Sequence, residues 1–511
     1  MVNEGGDKVL LRGVGLGNWM LPEGYMWKFA NGGDRPRKIE KIVSDLIGEQ
    51  NAAKFWSEYR RRYVTEADVA RIAELGFNSV RPALNARLFL TEGDNAVYVE
   101  EGFQLLDNLV GWCRTHGIYV IIDMHGAPGG QTGTNIDDSA DDQPRLFVDK
   151  KNQDRLVDLW AKIAGRYKDE PTVAGYDLLN EPLPKRTGAE DKYKDQLEPL
   201  YKRITAAIRQ VDSRHMITLE GEDWANDWSV FGPPDDNVFY QFHYYCWDRP
   251  TKLNDIRRYL DRREQLHAPV WVGETGEKDN VIYWATTQYF EANNIGWSFW
   301  PWKKMDATNG LYSVKPPQGW DAVRTYSGGG SAPARDAAQK TFDELLENIR
   351  LVNCVFLPDT ANALFRRVPA RVEAENYGHE GLNKSYSVKD AAKNSQYYRV
   401  SEPVPVEQVS GAGRRSSGQA IRLTEGEWTA YTIHSQASKD YSAVMKARAD
   451  SGPAVVELSV GGHVQEVTIP QGDWAEIALK AVPLAQGANQ LKLRVKNGTA
   501  YLDWVDFGTQ R

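Results

Sequence analysis

The chain has 511 residues, 41% hydrophobic and 26% charged, with a formal net charge of −8. It is too long for one ordinary core and too apolar for wholesale disorder, so two globular domains are expected. No basic stripe argues for nucleic acid, and no apolar run reaches the length of a membrane span. The opening MVNEGGDKVLLRGV lacks the basic and apolar regions of a secretory signal. A secreted or periplasmic protein without its leader is expected, with the cytoplasm as the alternative; a monomer is expected. Cys113, Cys246 and Cys354 allow at most one disulfide, form no metal motif, and read as small buried residues.

In chain order, GVGLGNW (13–19) reads as a first strand. TEADVARIAELG (65–76) reads as a helix with Thr65 as N-cap and Gly76 as C-cap, and GFNSVRP (76–82) as the next strand. A second helix, EGFQLLDNLVGWCRTHG (101–117), precedes the strand GIYVIIDMH (117–125). Five more strand candidates follow: VAGYDLLNE (173–181), MITLEG (216–221), VFYQFHYY (238–245), APVWVGET (268–275) and IGWSFWPW (295–302). Strands this apolar, alternating with helices, indicate a parallel sheet, and eight of them suggest a closed (β/α)₈ TIM barrel. SGGGSAPARD (327–336) is a flexible loop before a last helix at 338–352. The barrel is placed at 1–352 and a linker at 353–368. From 369 to 511, short alternating segments separated by turn residues predict an all-β sandwich of jelly-roll type.

Each barrel strand ends in a polar or aromatic residue: Asn18, Arg81, His125, Glu181, Glu220, His243, Glu274 and Trp300. In barrels these ends face the active site. Glu181 in LLNEP and Glu274 in WVGETG lie three strands apart, so their side chains can converge across the mouth. Cleavage of a glycoside with retention needs such a pair: an acid that protonates the leaving oxygen, and a carboxylate that captures the anomeric carbon. Seventeen tryptophans fit the same chemistry, because flat rings stack on sugar faces; Trp224, Trp228, Trp247, Trp297, Trp300 and Trp302 lie near polar residues. GVGLGNW lacks the full G-x-G-x-x-G of a dinucleotide loop, and HGAPGGQTG (125–133) lacks the Lys-Ser/Thr of a phosphate loop. Neither H-x-H nor H-E-x-x-H occurs, so catalysis is expected to need no cofactor.

GVGLGNWMLPE (13–23), SVRPAL (79–84), IDMHGAPGGQTG (122–133), YDLLNEPLP (176–184), FHYYCW (242–247), WVGETG (271–276) and GWSFWPWKKMD (296–306) together resemble glycoside hydrolase family 5, most closely its exo-β-1,3-glucanase branch. The resemblance implies Glu181 as acid/base and Glu274 as nucleophile. It implies Asn180 on the sugar 2-hydroxyl, Arg81 holding the nucleophile ionised, and His243 and Tyr245 orienting the carboxylates. His125 would line the subsite of the non-reducing sugar, with Trp300, or else Trp302, as its floor. The branch usually has Gly-Gly-Trp where this chain has Gly17-Asn18-Trp19, an aromatic where it has Thr275, and a His-His-Tyr type sequence where it has Phe242 to Tyr245. These departures touch the sugar subsites and bear on linkage preference.

ARVEAENY (370–377), GEWTAYTI (426–433) and NGTAYLDWVDF (497–507) resemble carbohydrate-binding modules of family 6 or 35. That resemblance implies a structural calcium on Glu373, Glu375 and Asp506, with Asn497 and Trp428 as candidate ligand contacts. The expected function is hydrolysis of a β-linked glucan or gluco-oligosaccharide from the non-reducing end. An endo-acting β-1,4-glucanase, mannanase or xylanase is the alternative within the chemistry, and a non-catalytic carbohydrate-binding protein the alternative outside it.

Overall fold

The computed structural model describes all residues except 2–4, 30, 233–236, 248–252, 411–416 and 509–511. The chain forms two compact units. The first comprises Met1–Tyr244, Ile256–Glu277 and Ile295–Leu357; the second comprises Tyr245–Asp255, Lys278–Asn294 and Pro358–Arg511. No helix among the described residues is long and apolar enough to cross a membrane.

The first unit is a closed barrel of eight strands: β1 Arg12–Leu16, β2 Ser79–Asn85, β3 Tyr119–Gly126, β4 Val173–Asp177, β5 Met216–Glu220, β6 Val238–Tyr244, β7 Val270–Gly276 and β8 Gly296–Trp300. Neighbours pair in parallel, and β1 closes on β8. Side chains alternate across each strand, so every second residue climbs the interior. At the bottom, Leu11, Ile121, Phe239 and Trp271 form one apolar cluster. Two residues up the same strands stand Asp123, Gln241 and Gly273; two further along β3 and β6 come His125 and His243, all buried. Gly273 is required by this stacking: a Cβ there would sit 1.7 Å from Gln241 Oε1.

The helix Glu66–Leu75 begins at a capping box, in which Thr65 and Asp68 satisfy each other's backbone, and ends at Gly76 with φ 96°. The alternation of strand and helix breaks after β5. The single turn Glu222–Ala225 contains Asp223, Trp224 and Ala225 at φ 49°, 63° and 68°, a left-handed run that no barrel helix can continue. The β6–β7 ladder shifts register at Phe242/His243, and the β7–β8 ladder shifts between Val272 and Thr275. Both irregularities flank site residues, where such shifts re-aim side chains. The stretch 353–368, read as a linker, carries the strand Val355–Phe356 and the helix Pro358–Leu364.

The second unit contains two antiparallel sheets. In one, Thr499–Asp506 pairs with Gln419–Thr424, Val444–Ala449 and Arg371–Glu373. In the other, Gly487–Asn497 pairs with Trp428–Ser435 and Ala454–Val460. Inward residues of both, such as Ile421, Met445, Leu502, Tyr431, Leu458 and Leu493, share a single apolar core. The same core includes Trp284 from the helix Asn280–Ala292, which lies in sequence between β7 and β8. Arg366 bonds Thr287 and Glu291 of that helix, and Gln288 Nε2 donates to the Tyr377 carbonyl.

Candidate active site

Glu181 lies four residues past the end of β4, which closes at Asp177 rather than at Glu181. Its φ is 44°, a strained value for a side-chain-bearing residue, and its N–H donates to Glu220 Oε2 at 2.6 Å. Glu274 sits within β7. Between the two carboxylates stands His243, with Nδ1 2.7 Å from Glu181 Oε1 and 3.5 Å from Glu274 Oε2. One donor atom from each of Glu181, His243 and Glu274 lies within 4.8 Å of the others.

Beneath them, Arg81 is fully buried and surrounded by acids. Its Nε donates to Asp177 at 2.8 Å, Nη1 to Glu274 at 2.6 Å, and Nη2 to Asn180 Oδ1 and Glu220, each at 2.9 Å. Asp123 is 3.2 Å from the same Nη2. Burial pushes Asp123 up to about 8, against the pull of Arg81. It raises Asp177 and Glu274 as well, again in opposition to nearby cations. Burial also opposes the charge of Glu220, yet His243 and Arg81 hold that carboxyl below the ordinary range. Conversely, burial disfavours an imidazolium at His243, but Glu220, Glu274 and Glu181 raise it well above an ordinary histidine. The carboxylates thus share too few cations, and protons make up the difference.

On the sugar side, His125 Nδ1 is 2.7 Å from Asp123, and Asn180 Nδ2 lies 3.3 Å from His125 Nε2. Burial lowers His125 to about 4, so it stands neutral with Nε2 accepting. Its ring stacks on Trp300 at 5.2 Å and 8°, and Trp300 Nε1 donates to the Tyr25 hydroxyl at 3.0 Å. The glycines of GVGLGNW make room for this indole: a Cβ on Gly15 or Gly17 would come within 2.3 or 2.5 Å of the Trp300 ring. Gln131 Nε2 donates to the carbonyls of His125 and Asn180, tying the β3 and β4 loops together. Glu23 is 3% exposed, and its Oε1 has no hydrogen-bond partner among the described residues. Burial, then repulsion from Glu274 and Glu181, raises its carboxyl well above the usual range.

Trp302 and Asn18 are engaged elsewhere. Trp302 is fully buried and donates to Asp68 at 2.9 Å, so of the two tryptophans only Trp300 stacks on His125. Asn18 accepts from Trp27 Nε1 and lies 3.3 Å from the Tyr63 hydroxyl, serving its own loop. Tyr245 follows His243 by two residues, and its ring stacks on Trp247 at 5.3 Å. Asp506 lies across from Arg371, whose guanidinium it meets at 3.4 Å, whereas Glu373 pairs in register with Trp504. Glu375 instead feels Asp503, and burial first, then that repulsion, pushes it up to about 8. Glu373 and Glu375 are both buried, and among the described residues Glu181, His243 and Glu274 form the one group of three such side chains within 4.8 Å. Trp428 carries the Lys492 ammonium 3.7 Å over its ring, which covers one stacking face.

Asp123, Asp177, Glu23 and Gln131 escape the sequence reading, and Glu220 enters it only as a strand end. The available signal is a single acid inside an otherwise apolar strand, as in IDMH and GYD. Barrel and carboxylate pair together define a β-glycosidase that works with retention. Over residues 44–306 the chain matches the family model Cellulase (glycosyl hydrolase family 5), and it belongs to that family. It is 30% identical over 338 residues to a beta-xylosidase of Phanerodontia chrysosporium, covering 59% of this chain and 69% of that protein. It is also 30% identical over 300 residues to a probable glucan 1,3-beta-glucosidase A of Emericella nidulans, covering 56% and 71%. A rutinosidase structure from Aspergillus niger aligns with a TM-score of 0.49 at 15% identity, over 66% of this chain and 98% of that one.

Proposed function

We propose that the enzyme removes single glucosyl units from the non-reducing end of β-linked gluco-oligosaccharides, with Glu181 as acid/base and Glu274 as nucleophile. One observation carries this reading: the two carboxylates meet on either side of His243, within 4.8 Å. That spacing suits double displacement, which uses carboxyl groups about 5–5.5 Å apart, better than inversion, which uses about 6.5–9.5 Å. Glu181 gives its proton to the glycosidic oxygen as Glu274 bonds to the anomeric carbon and the C–O bond to the leaving group breaks. Water then attacks the same carbon, yielding a proton to Glu181 and releasing Glu274. Arg81 Nη1, 2.6 Å from Glu274, works against burial and favours the anionic form of the nucleophile.

Exo action is supported by the loop between β3 and the helix Lys150–Tyr167. Asp138 accepts from the Arg37 N–H, Arg87 Nε and Asn85, and Arg35 donates to Ser139, so this loop is fixed as a wall. Glu23 supports it too, because a buried carboxyl with an open oxygen can hold the terminal hydroxyls of a sugar that ends in a pocket. The names of the relatives, a beta-xylosidase and a glucan 1,3-beta-glucosidase, point the same way. Early products from laminari- and cello-oligosaccharides test the reading: glucose from the first minutes is expected, and a ladder of oligomers overturns exo action. Glu274→Ala should lose about four orders of magnitude in kcat/KM on aryl β-glucosides. Azide should then give an α-glucosyl azide with Glu274→Ala and a β-glucosyl azide with Glu181→Ala.

We also propose the second unit as a carbohydrate-binding module, on the likeness of its strands to such modules. Affinity electrophoresis of the Glu274→Ala protein in β-glucan gels tests this. Retardation that survives saturation of the barrel with glucose is expected, and mobility equal to that in plain gels overturns it.

A further inference from the structure

Glu220 stands at the end of β5, fully buried, with each carboxylate oxygen engaged by a different part of the catalytic apparatus. Oε2 accepts the Glu181 backbone N–H at 2.6 Å. Oε1 accepts from Arg81 Nη2 at 2.9 Å and lies 3.3 Å from His243 Nε2. Three constraints therefore meet on one side chain. The first fixes a peptide held at φ 44°, which an unsupported residue would leave for the ordinary helical or extended regions. The second fixes the guanidinium that bonds Glu274. The third places a carboxylate charge 3.3 Å behind the His243 ring, at Nε2, while its other nitrogen, Nδ1, faces both Glu181 and Glu274.

We propose that Glu220 is a positioning residue for the acid/base step: it locks the strained Glu181 backbone and holds the His243 ring so that Nδ1–H is shared between the two carboxylates. The proposal rests on the reading of Glu181 as acid/base and Glu274 as nucleophile. Glu220 touches no substrate; it acts through Glu181 and His243. In this arrangement His243 Nδ1 stores a proton 2.7 Å from Glu181 Oε1. When Glu181 gives its own proton to the departing oxygen, the imidazolium beside it stabilises the carboxylate that forms. When water is activated, Glu181 recovers a proton and the pair returns to its starting charge. No proton is gained or lost over the cycle. The charged and titratable groups around His243 are Glu181, Glu220 and Glu274, with Arg81 and Asp123 beyond them on β2 and β3. Removing the negative charge of Glu220 leaves His243 easier to deprotonate.

Leaving-group dependence separates positioning from simple structural support. General-acid assistance matters for a poor leaving group and little for a good one. Glu220→Gln keeps the volume and an acceptor oxygen but loses the charge. Its kcat/KM should fall about 100-fold on phenyl β-glucoside and less than about threefold on 2,4-dinitrophenyl β-glucoside. The alkaline limb of the phenyl-glucoside profile should move down by about one pH unit, since His243 gives up its proton sooner. Glu220→Asp, which keeps the charge but withdraws it by one methylene, should restore the alkaline limb and only part of the rate. It also decides the matter by the same leaving-group ratio if the Gln variant does not fold. Equal losses on both substrates with an unmoved limb, or wild-type kinetics, overturn the proposal. Glu181→Ala serves as the reference: if it shows no leaving-group discrimination, the assignment of Glu181 fails first. If it discriminates and the Glu220 variants do not, only the role of Glu220 fails.

Discussion

In the barrel, the layer above Leu11, Ile121, Phe239 and Trp271 is built from Arg81, Asp123, Asp177 and Glu220, all fully buried. In the second unit, the inward positions of strands with the same two-residue alternation are Ile421, Leu423, Met445, Val456, Leu458 and Leu491. These apolar positions need no partner to be stable, because each buried apolar side chain contributes about 1.5–3 kcal/mol on leaving water. The first is held only by mutual pairing, and taking such charges out of water costs about as much as their attraction returns. An interior of that kind is not explained by stability. It is explained by the chemistry above it, where Arg81 and Glu220 reach up to Glu274, Glu181 and His243.

The sharpest way to break this contrast is Arg81→Met. Removing the one guanidinium leaves Asp123, Asp177 and Glu220 buried without it, and should cost about 3–5 kcal/mol in denaturant unfolding. It should also lower kcat/KM by about three orders of magnitude. A variant that stayed active would show the charged layer to be dispensable. Leu458→Ala in the second unit should cost about 2–5 kcal/mol through the cavity it leaves, with kcat/KM on aryl β-glucosides unchanged within about twofold. Trp284→Ala sharpens the boundary: although it lies between β7 and β8 in sequence, its loss should lower the melting of the second unit by about 3 kcal/mol, read by calorimetry.

Gly17→Ala should act on function more than on stability, because its methyl meets Trp300 at 2.5 Å. The displaced ring should raise KM about tenfold while kcat falls less. The smallest effect expected is at Asp212, which bonds the Tyr176 hydroxyl and the His215 ring outside both interiors. Burial works against its charge, but the hydroxyl, two backbone N–H groups and His215 hold its carboxyl below the ordinary value. Its contribution is therefore present above about pH 4 and lost as pH falls through the depressed value. Asp212→Asn should cost about 1 kcal/mol at neutral pH and flatten that acid-side loss in urea titrations.

The eight strands, the capped helix Glu66–Leu75 and the β-rich remainder of the chain are legible in the amino-acid order alone. That order also singled out the two glutamates and Arg81, because local alternation, caps and motif residues are written in short windows. Closure of the barrel decided the rest. An acid in an apolar strand reads the same whether it faces water or an interior, so Asp123 and Asp177 stayed unrecognised until eight distant strands placed them around Arg81. Trp300 and Trp302 are two residues apart and chemically identical. Only the packing of Gly15 and Gly17 against one, and of Asp68 and Tyr312 around the other, separates a ring at the site from a ring in the core. The helix Asn280–Ala292 likewise shows nothing in its sequence that assigns it to one unit, and its place in the second follows from Trp284, Thr287 and Glu291 finding partners far along the chain. Contacts between residues distant in sequence are what tertiary structure adds, and both the acid layer and the unit boundary are made of them.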